Sequence, residues 1–574
     1  MKNISEIKSR RELADFLGIP GYQLSFILFL KRPESFYRTF EIPKKSGDMR
    51  HICAPTGILK SIQKKLAKRL WNKIKAIRFS HNIMRTNISH AFEKNKSIIT
   101  NSRVHRNKKF VINLDLENFF DSFHFGRVVG YFEKNRDFKL PHEVAVALAQ
   151  LVCYNNRLPQ GAPTSPIITN LICQIMDFRL LKIAKKYKLD FTRYADDLSF
   201  STNHKDFLNL KDLFLKEITV EIVKAGFTVN NKKTRLLYND ARQEVTGLVV
   251  NKKIGVKQEF VKNTRAMAHQ LYSTGNFTIN GRPGNLKQLE GRFSFIDQLD
   301  VYNRGQPAVS VTKGRQGTVP LNKREREYQK FLFYKYFFAN DKPLIITEGK
   351  TDIVYLKAAL KNLYVAYPEL VEKKRNNKFL YKVEFFNRKK KHERLLGVNQ
   401  DGADSLTNLF FYFTDSFKMF TNYLKYFTDL SNKEQKHAVI FLLDNEIGST
   451  DAKKPLRKFV NAINVSNADK EVLKKNLQLH LIPKSKLYLV TNPLVKGKTE
   501  CEIEDLFSDE VLATVIKGKT FCRSSGFDKE KHYGKQIFSK YVCKNYRKID
   551  FTGFMTLLDT IKALVVSAEE EYVK

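Results

Sequence analysis

The feature that most restricts this chain is a pair of adjacent acids between two β-prone runs, Asp190-Phe191-Thr192-Arg193-Tyr194-Ala195-Asp196-Asp197-Leu198-Ser199-Phe200-Ser201. Successive side chains of a strand point to opposite faces, so the run reads as a hairpin with the acids at its tight turn. A turn aims both carboxylates outward, where a cation relieves their repulsion. Hard divalent ions such as Mg²⁺ take oxygen ligands. Two acids are too few for a two-metal site, so a third carboxylate has to come from elsewhere. Alone, an Asp-Asp turn is most often surface punctuation; what lies upstream decides otherwise.

The third acid is Asp115. It ends the apolar run Phe110-Val111-Ile112-Asn113-Leu114-Asp115, and an acid at the end of a buried strand is costly unless it meets a metal or a partner. Phe119 and Phe120 follow, by default core residues, and Asp121 suits a helix cap. Further upstream, residues 37–55 read as a hairpin whose tip gathers Lys44, Lys45 and Arg50. Such a tip is either a solvated basic turn or a triphosphate clamp. Residues 56–78 form a basic amphipathic helix on Leu59, Ile62, Leu66, Leu70 and Ile74. Leu158-Pro159-Gln160-Gly161-Ala162-Pro163 is a shaped turn that feeds a helix running to about Lys186. A helix N-terminus attracts phosphate, and Gln160 is placed to touch a nucleotide. Residues 226–235 and 243–251 give a loop and a hairpin. Two helices, roughly 259–273 and 284–298, interleave cations with Tyr272 as a nucleic-acid cradle would. Residues 302–326, with Gly305, Gly314, Gly317, Pro307 and Pro320, read as a linker. Residues 1–30 are helical, although periodicity does not decide Phe26–Leu30.

Lysine and arginine number 101 against 59 acids, a net charge of +42. That surplus implies a polyanionic partner, nucleic acid before an anionic membrane. No apolar run reaches the roughly 18 residues of a bilayer span, and no secretory signal is read. The expectation is a cytoplasmic protein without a membrane role. The six cysteines form no CxxC pair, so neither structural zinc nor a disulfide framework is expected.

The ordered set of basic hairpin, Asp115 strand, Leu-Pro-Gln-Gly turn, Tyr-Ala-Asp-Asp hairpin, Lys233 loop and Val245-Thr246-Gly247 hairpin resembles the fingers, palm and thumb of reverse transcriptases over roughly residues 30–300. It is most similar to retron reverse transcriptases. Val245-Thr246-Gly247 matches their Val-Thr-Gly element. Asn101-Ser102-Arg103-Val104-His105 matches their Asn-Ala-x-x-His element, with serine for alanine. The resemblance implies that Asp115, Asp196 and Asp197 hold two Mg²⁺ (or Mn²⁺) ions. It implies that Lys44 or Lys45 with Arg50 clamps a dNTP, that Gln160 lines its pocket, and that Phe120 packs under the sugar against a 2′-hydroxyl. Lys233 is expected near the leaving pyrophosphate, and Asn101, His105, Val245, Thr246 and Gly247 against the RNA or primer. It further implies a structured noncoding RNA template and a branched RNA–DNA product.

In the second half, Pro343-Leu344-Ile345-Ile346-Thr347-Glu348-Gly349-Lys350-Thr351-Asp352 and Ala438-Val439-Ile440-Phe441-Leu442-Leu443-Asp444-Asn445-Glu446 are apolar strands that end in acids. They argue for a parallel sheet with its site at the carboxyl ends of the strands. This resembles a TOPRIM domain, with Glu348 and Gly349 as its first motif and Asp444 as its second; Glu446 stands where that motif has aspartate. Asp352, Glu504, Asp505 and Lys535 are accessory candidates.

The expected fold is an α+β right-hand polymerase followed by an α/β TOPRIM domain. The expected boundaries are 1–30 (N-terminal helices), 31–255 (fingers and palm), 256–301 (thumb), 302–340 (linker and connecting helix), 341–510 (TOPRIM) and 511–574 (extension). The expected function is a retron polymerase fused to a metal-dependent nuclease in antiphage defence. In that reading the branched product restrains the nuclease, whose target is host RNA, tRNA among it, or DNA. The rivals are a silent TOPRIM clamp that only protects the product and a group II intron-like maturase. A homo-oligomer held through the nucleoprotein complex is left open.

Overall fold

The computed structural model describes residues 3–43, 47–80, 88–305, 320–398, 403–495, 497–524 and 526–573. It divides into two compact units, Met1–Lys257 and Gln258–Lys574.

In the first unit, short helices that include Arg10–Leu17 and Gly21–Ser25 come before a hairpin, β1 (Tyr37–Pro43) and β2 (Met49–Pro55), which leads into the helix α1 (Gly57–Ser80). Leu59, Ile62, Leu66, Leu70 and Ile74 are all buried along one stripe of α1, as three- and four-residue spacing dictates. After α2 (Ile98–Val104) come the palm elements: β3 (Phe110–Asp115), α3 (Ser165–Lys186), β4 (Asp190–Tyr194), β5 (Asp197–Thr202), α4 (Phe207–Lys224) and β6 (Arg235–Tyr238). The four strands form one antiparallel sheet in the order β4-β5-β3-β6. Period-two alternation separates its faces. Phe110, Ile112, Leu114, Phe191, Leu198 and Phe200 join the main core. The opposite face carries Asn113, Asp115, Thr192, Asp197, Ser199 and Ser201, and Val111 there packs on the short hairpin β7 (Glu244–Val245) and β8 (Leu248–Val249).

In the second unit, α5 (Gln258–Thr274), α6 (Leu286–Arg304) and α7 (Lys323–Phe333) precede a five-stranded sheet. That sheet contains β9 (Leu344–Thr347), β12 (Glu384–Phe385), β13 (Val439–Leu443), β14 (Gln478–His480) and β15 (Leu487–Thr491), in the order β12-β9-β13-β15-β14. Every pairing is parallel except β14 with β15. Between β9 and β12 lie α8 (Lys350–Asn362) and a hairpin, β10 (Val371–Lys373) with β11 (Phe379–Tyr381). Ile346, Val439, Phe441 and Leu489 face a core made with α5, α6 and α7. Ile345, Ile440, Leu442 and Val490 face a second core made with α8, α9 (Lys535–Asn545) and α10 (Met555–Val573). Burial on both faces explains why these strands read as unbroken apolar runs.

Three expected boundaries move. The helices expected as a thumb, α5 and α6, belong to the second unit: Ala268, Leu271, Tyr272, Leu289 and Phe293 share one core with Phe331, Phe427 and Phe441. Tyr272 is therefore buried, not part of an exposed cradle. Residues 323–338, within the stretch expected as linker and connecting helix, are helical, but they are packed into that same core, with Glu325 fully buried between Arg304 (2.9 Å) and Arg394 (2.9 Å). Residues 511–574 are no appendage, because Tyr533, Phe538, Leu557 and Ile561 complete the second core. Among the described residues, no single helix is long and apolar enough to cross a membrane.

Candidate active site

The acidic turn sits at the end of the polar face of the palm sheet. Tyr194 pairs with Asp197 across a two-residue turn, and Ala195 within it takes a left-handed φ of 57°, a conformation that costs a Cβ-bearing residue energy. Arg193 holds it. Its guanidinium is fully buried and grips Asp177 with two bonds of 2.7 and 2.8 Å, touches Asn170 Oδ1 at 3.2 Å and donates to the Ala195 carbonyl at 3.2 Å. A buried bidentate pair of this geometry is costly to break.

Asp115 lies directly opposite Asp197 in the β3–β5 register, which sets their Cβ atoms about 4.5–5.5 Å apart. The Leu116 amide donates to the Asp196 carbonyl at 3.0 Å and fixes the third acid beside them. Burial, then the neighbouring charges of Asp196 and Asp115, push the Asp197 carboxyl up to about 7. Burial raises Asp196 too, Asp115 adding to it, while Lys233 and Arg50 oppose. The site lacks positive charge in proportion to its acids. Lys233 meets part of that need, its Nζ standing 3.1 and 3.2 Å from the two Asp115 oxygens where a cation would sit. Its loop is tied to the site, because the Asn230 amide donates to the Asp115 carbonyl at 2.8 Å. This all-oxygen set fits a hard divalent ion. Among the described residues, no three His, Cys, Asp or Glu side chains are already drawn around a common point.

Around the acids, Phe120 is half-buried, edge-on to Phe119 with ring centroids 5.5 Å apart. The Gln160 carbonyl accepts from the Cys53 amide at 2.9 Å, which locks the Leu-Pro-Gln-Gly turn to β2. Gly161 permits that approach. Its φ is 123°, and a Cβ there would lie 2.9 Å from Ile52 Cγ2 and 3.0 Å from the Cys53 carbonyl oxygen. Arg50 is exposed on β2, whereas Lys44 and Lys45 lie outside the described residues.

The expected RNA contacts of α2 are not available as surface. His105 is fully buried, with Nδ1 2.8 Å from Ser201 Oγ and Nε2 2.7 Å from Thr192 Oγ1. Burial pushes it down to about 3, so it is a neutral staple between β4 and β5. Asn101 is likewise fully buried. Ser102, which replaces the alanine of the resembling motif, donates to the Val245 carbonyl at 3.0 Å and fastens α2 to the β7–β8 hairpin. Val245 is buried, while Thr246 (φ 46°) and Gly247 (φ 80°) form its turn with Gly247 exposed.

The second unit brings its own acids together. β9 and β13 are parallel neighbours, with Thr347 opposite Leu442, so Glu348 and Asp444 emerge at adjoining carboxyl ends. Burial, then Glu446 and Asp352, push Glu348 up to about 7, and its Oε2 is buried without a partner. Asp444 is also raised well above the usual carboxylate range, by burial and by Glu348, Asp352, Glu504 and Glu502 in turn. Its Oδ1 accepts from Asn492 Nδ2 (2.8 Å) and the Ile503 amide (2.9 Å). Glu446 is buried and paired with Lys454 at 3.3 Å. Asp352 accepts from the Gly349 amide at 2.7 Å and caps α8. Glu504 is fully buried against Lys535 (3.0 Å), which also bridges Glu502 (3.1 Å). Asp505 binds Lys498 and Arg523, each at 2.6 Å. Glu504 and Lys535 therefore belong to the acidic cluster, whereas Asp505 is neutralised beside it.

A family model described as reverse transcriptase (RNA-dependent DNA polymerase) matches residues 42–264. The chain is 32% identical over 293 residues to the retron Ec86 reverse transcriptase of Escherichia coli, covering 50% of this chain and 84% of that protein. The chain belongs to the retron reverse transcriptases. It is also 31% identical over 325 residues to the retron Mx162 reverse transcriptase of Myxococcus xanthus, covering 52% of this chain and 65% of that one. A telomerase from Candida albicans, solved with a fragment of telomeric RNA, overlays at a TM-score of 0.30 with 14% identity, over 46% of this chain and 55% of the other. In this retron reverse transcriptase the matched segment contains Asp115, Asp196, Asp197, Gln160 and Lys233. It stops before the sheet of the second unit. Sequence reasoning missed Arg193, Asp177 and Asn492. The first two carried a signal: an arginine inside a β-run and an aspartate inside an apolar helix each need a buried partner.

Proposed function

We propose that the first unit is an RNA-directed DNA polymerase that copies a structured noncoding RNA into a branched RNA–DNA hybrid. We propose further that the second unit is a divalent-cation-dependent TOPRIM nuclease restrained by that hybrid, in cytoplasmic antiphage defence. The observation that carries the first part is the meeting of Asp115, Asp196 and Asp197 at one end of a palm-type sheet, in a chain of this family. Bound divalent cations would supply Lewis acidity to the attacking hydroxyl and neutralise charge on the in-line phosphoryl transition state. The chain's own residues do the rest. The three aspartates hold the cations. Arg50, with Lys44 or Lys45, binds the triphosphate, Gln160 and Phe120 bound the nucleotide, and Lys233 stands by the leaving pyrophosphate. The second part is supported by Glu348 and Asp444 on adjoining parallel strands, both pushed upward by burial and like charge. The Glu446–Lys454 pair favours one rival, a second unit that binds the hybrid without cutting.

Co-expression with the DNA flanking the gene, followed by recovery of the hybrid, tests the polymerase. Asp196→Asn and Asp197→Asn should each abolish the DNA strand, and its persistence would refute the assignment. Purified protein with Mg²⁺ and labelled tRNA, mRNA and DNA tests the second unit. Cleavage that Glu348→Ala removes is expected; a clamp cuts none of the three.

A further inference from the structure

The second unit carries a surface that the acidic site does not use. The β10–β11 hairpin and the C-terminal ends of α8 and α9 meet in a cluster of half-buried rings covered by cations. Tyr364 and Phe379 are edge-on at 5.8 Å, and Phe379 and Tyr546 at 6.2 Å. Lys373 Nζ lies 5.1 Å from the Tyr364 ring centre, Lys361 Nζ 5.5 Å from Tyr546, and Lys357 Nζ 5.8 Å from Tyr381. The hairpin tip adds Arg375 and Lys378, both exposed, and Leu380 is 44% exposed on the same hairpin. The parts are stapled together: the Tyr381 hydroxyl donates to the Lys357 carbonyl at 3.2 Å, and the Asn362 amide to the Tyr546 carbonyl at 2.8 Å.

With 101 lysines and arginines against 59 acids, many cations of this chain stand without an acid; here such cations are gathered over rings. Among the described residues, Lys357, Lys361, Lys373, Arg375 and Lys378 have no carboxylate within ion-pair distance, while the nearby Glu372 is taken by Lys374 (2.6 Å). Burial, and after it the neighbouring Lys361, push Lys357 down. Cations without acid partners, interleaved with rings and an exposed leucine, match what a nucleic-acid strand presents: a line of phosphates with unstacked bases beside it. A duplex offers phosphates but keeps its bases stacked away. Lys361 lies about 17 Å along α8 from the start of that helix beside Glu348.

We propose that this ring-and-cation platform of the second unit binds a single-stranded segment of nucleic acid. It does so whether or not the second unit cuts, so it stands apart from the nuclease reading. The shared chemistry is a phosphodiester strand with accessible bases; the strand is RNA or DNA, and the test separates them.

The test uses the full chain and photocrosslinking with mass spectrometry. Two probes are compared, a 4-thiouridine-containing oligoribonucleotide and a 5-bromodeoxyuridine-containing oligodeoxynucleotide, each of roughly 20 nucleotides, enough to cover one stacking site. Crosslinks are expected on peptides carrying Tyr364, Tyr381 or Tyr546, from the RNA, the DNA or both, and the yielding probe names the strand. In Lys361→Glu/Lys373→Glu/Arg375→Glu those crosslinks should fall about tenfold or more, while crosslinks to the first unit and the melting curve stay unchanged. The salt slope of strand binding should drop by about 2, at roughly 0.7 for each phosphate that is no longer neutralised. Absence of platform crosslinks from both probes, or their survival in the triple variant, would overturn the proposal.

Discussion

Asp197→Asn should stabilise the cation-free protein, an inversion of what a core-lining substitution normally does. Burial and the adjacent Asp196 and Asp115 raise the Asp197 carboxyl from 3.8 to about 7 in the folded chain. The folded state therefore binds more protons than the unfolded state between those values, and stability falls as pH rises through that window. The penalty is complete above about pH 7 and gone below about pH 4. Its ceiling is about 4 kcal/mol at 1.36 kcal/mol per unit. The site opens partly to solvent and shares its charge with Lys233, which leaves about 1–2 kcal/mol. For a unit of this size that corresponds to about 3–6 °C in Tm. The chain has one tryptophan; Trp71 packs against the core of the first unit, so its fluorescence reports that unit's melting. In EDTA at pH 8 the Asn variant should melt higher than wild type, with the gap closing towards pH 4. Saturating Mg²⁺ should reverse the order, since a ligand at 100 times its Kd adds about 2.7 kcal/mol only where it binds. An Asn variant that melts at or below wild type at pH 8 in EDTA would refute the electrostatic account.

Other outcomes follow from the same geometry. His105→Ala should cost about 2–4 kcal/mol, because Thr192 and Ser201 lose their buried partner; denaturant melts check it. His105 is held down at about 3, so its contribution to stability should shrink as pH falls below about 6.5, and the gap between wild type and the variant should narrow there. Lys233→Ala frees both Asp115 oxygens and should lower the Mg²⁺ concentration that half-stabilises the protein in a thermal titration. Gly161→Ala drives a Cβ into Ile52 and the Cys53 carbonyl and should raise the KM for dNTP in primer extension more than it lowers melting. Lys535→Met leaves Glu504 buried and uncompensated, a loss of about 3–5 kcal/mol that Lys535→Met/Glu504→Gln should largely restore.

The acidic turn, Asp115 and the Gln160 turn are legible in the sequence because their chemistry is local: acids at strand ends and glycine at a close approach are visible in a few residues. The alternation that puts Asp115, Asp197 and Ser199 on one face of the palm sheet is also written in the strands. Which core a helix joins is not. α5 and α6 have the periodicity of any amphipathic helix, and nothing within them shows that Tyr272 and Phe293 pack with Phe427 and Phe441. The charged run Lys323-Arg324-Glu325-Arg326-Glu327 reads as a linker because the partners that neutralise Glu325, Arg304 and Arg394, lie outside it. The resemblance sets His105 against RNA because the Asn101–His105 motif is visible in the chain, whereas its two hydroxyl partners on β4 and β5 are not.

The core shared by α5, α6 and α7 with the second sheet also bears on how such a fusion can be taken apart. A fragment cut within residues 306–319, the obvious place on sequence grounds, would keep α5 and α6 but strip away Phe331, Phe427 and Phe441. It would carry a naked apolar flank and come out of the cell in inclusion bodies. The seam that respects the packing is at Lys257. A different second unit joined to the first at Lys257 would have to supply its own counterpart of the core that α5 and α6 form with Phe331, Phe427 and Phe441.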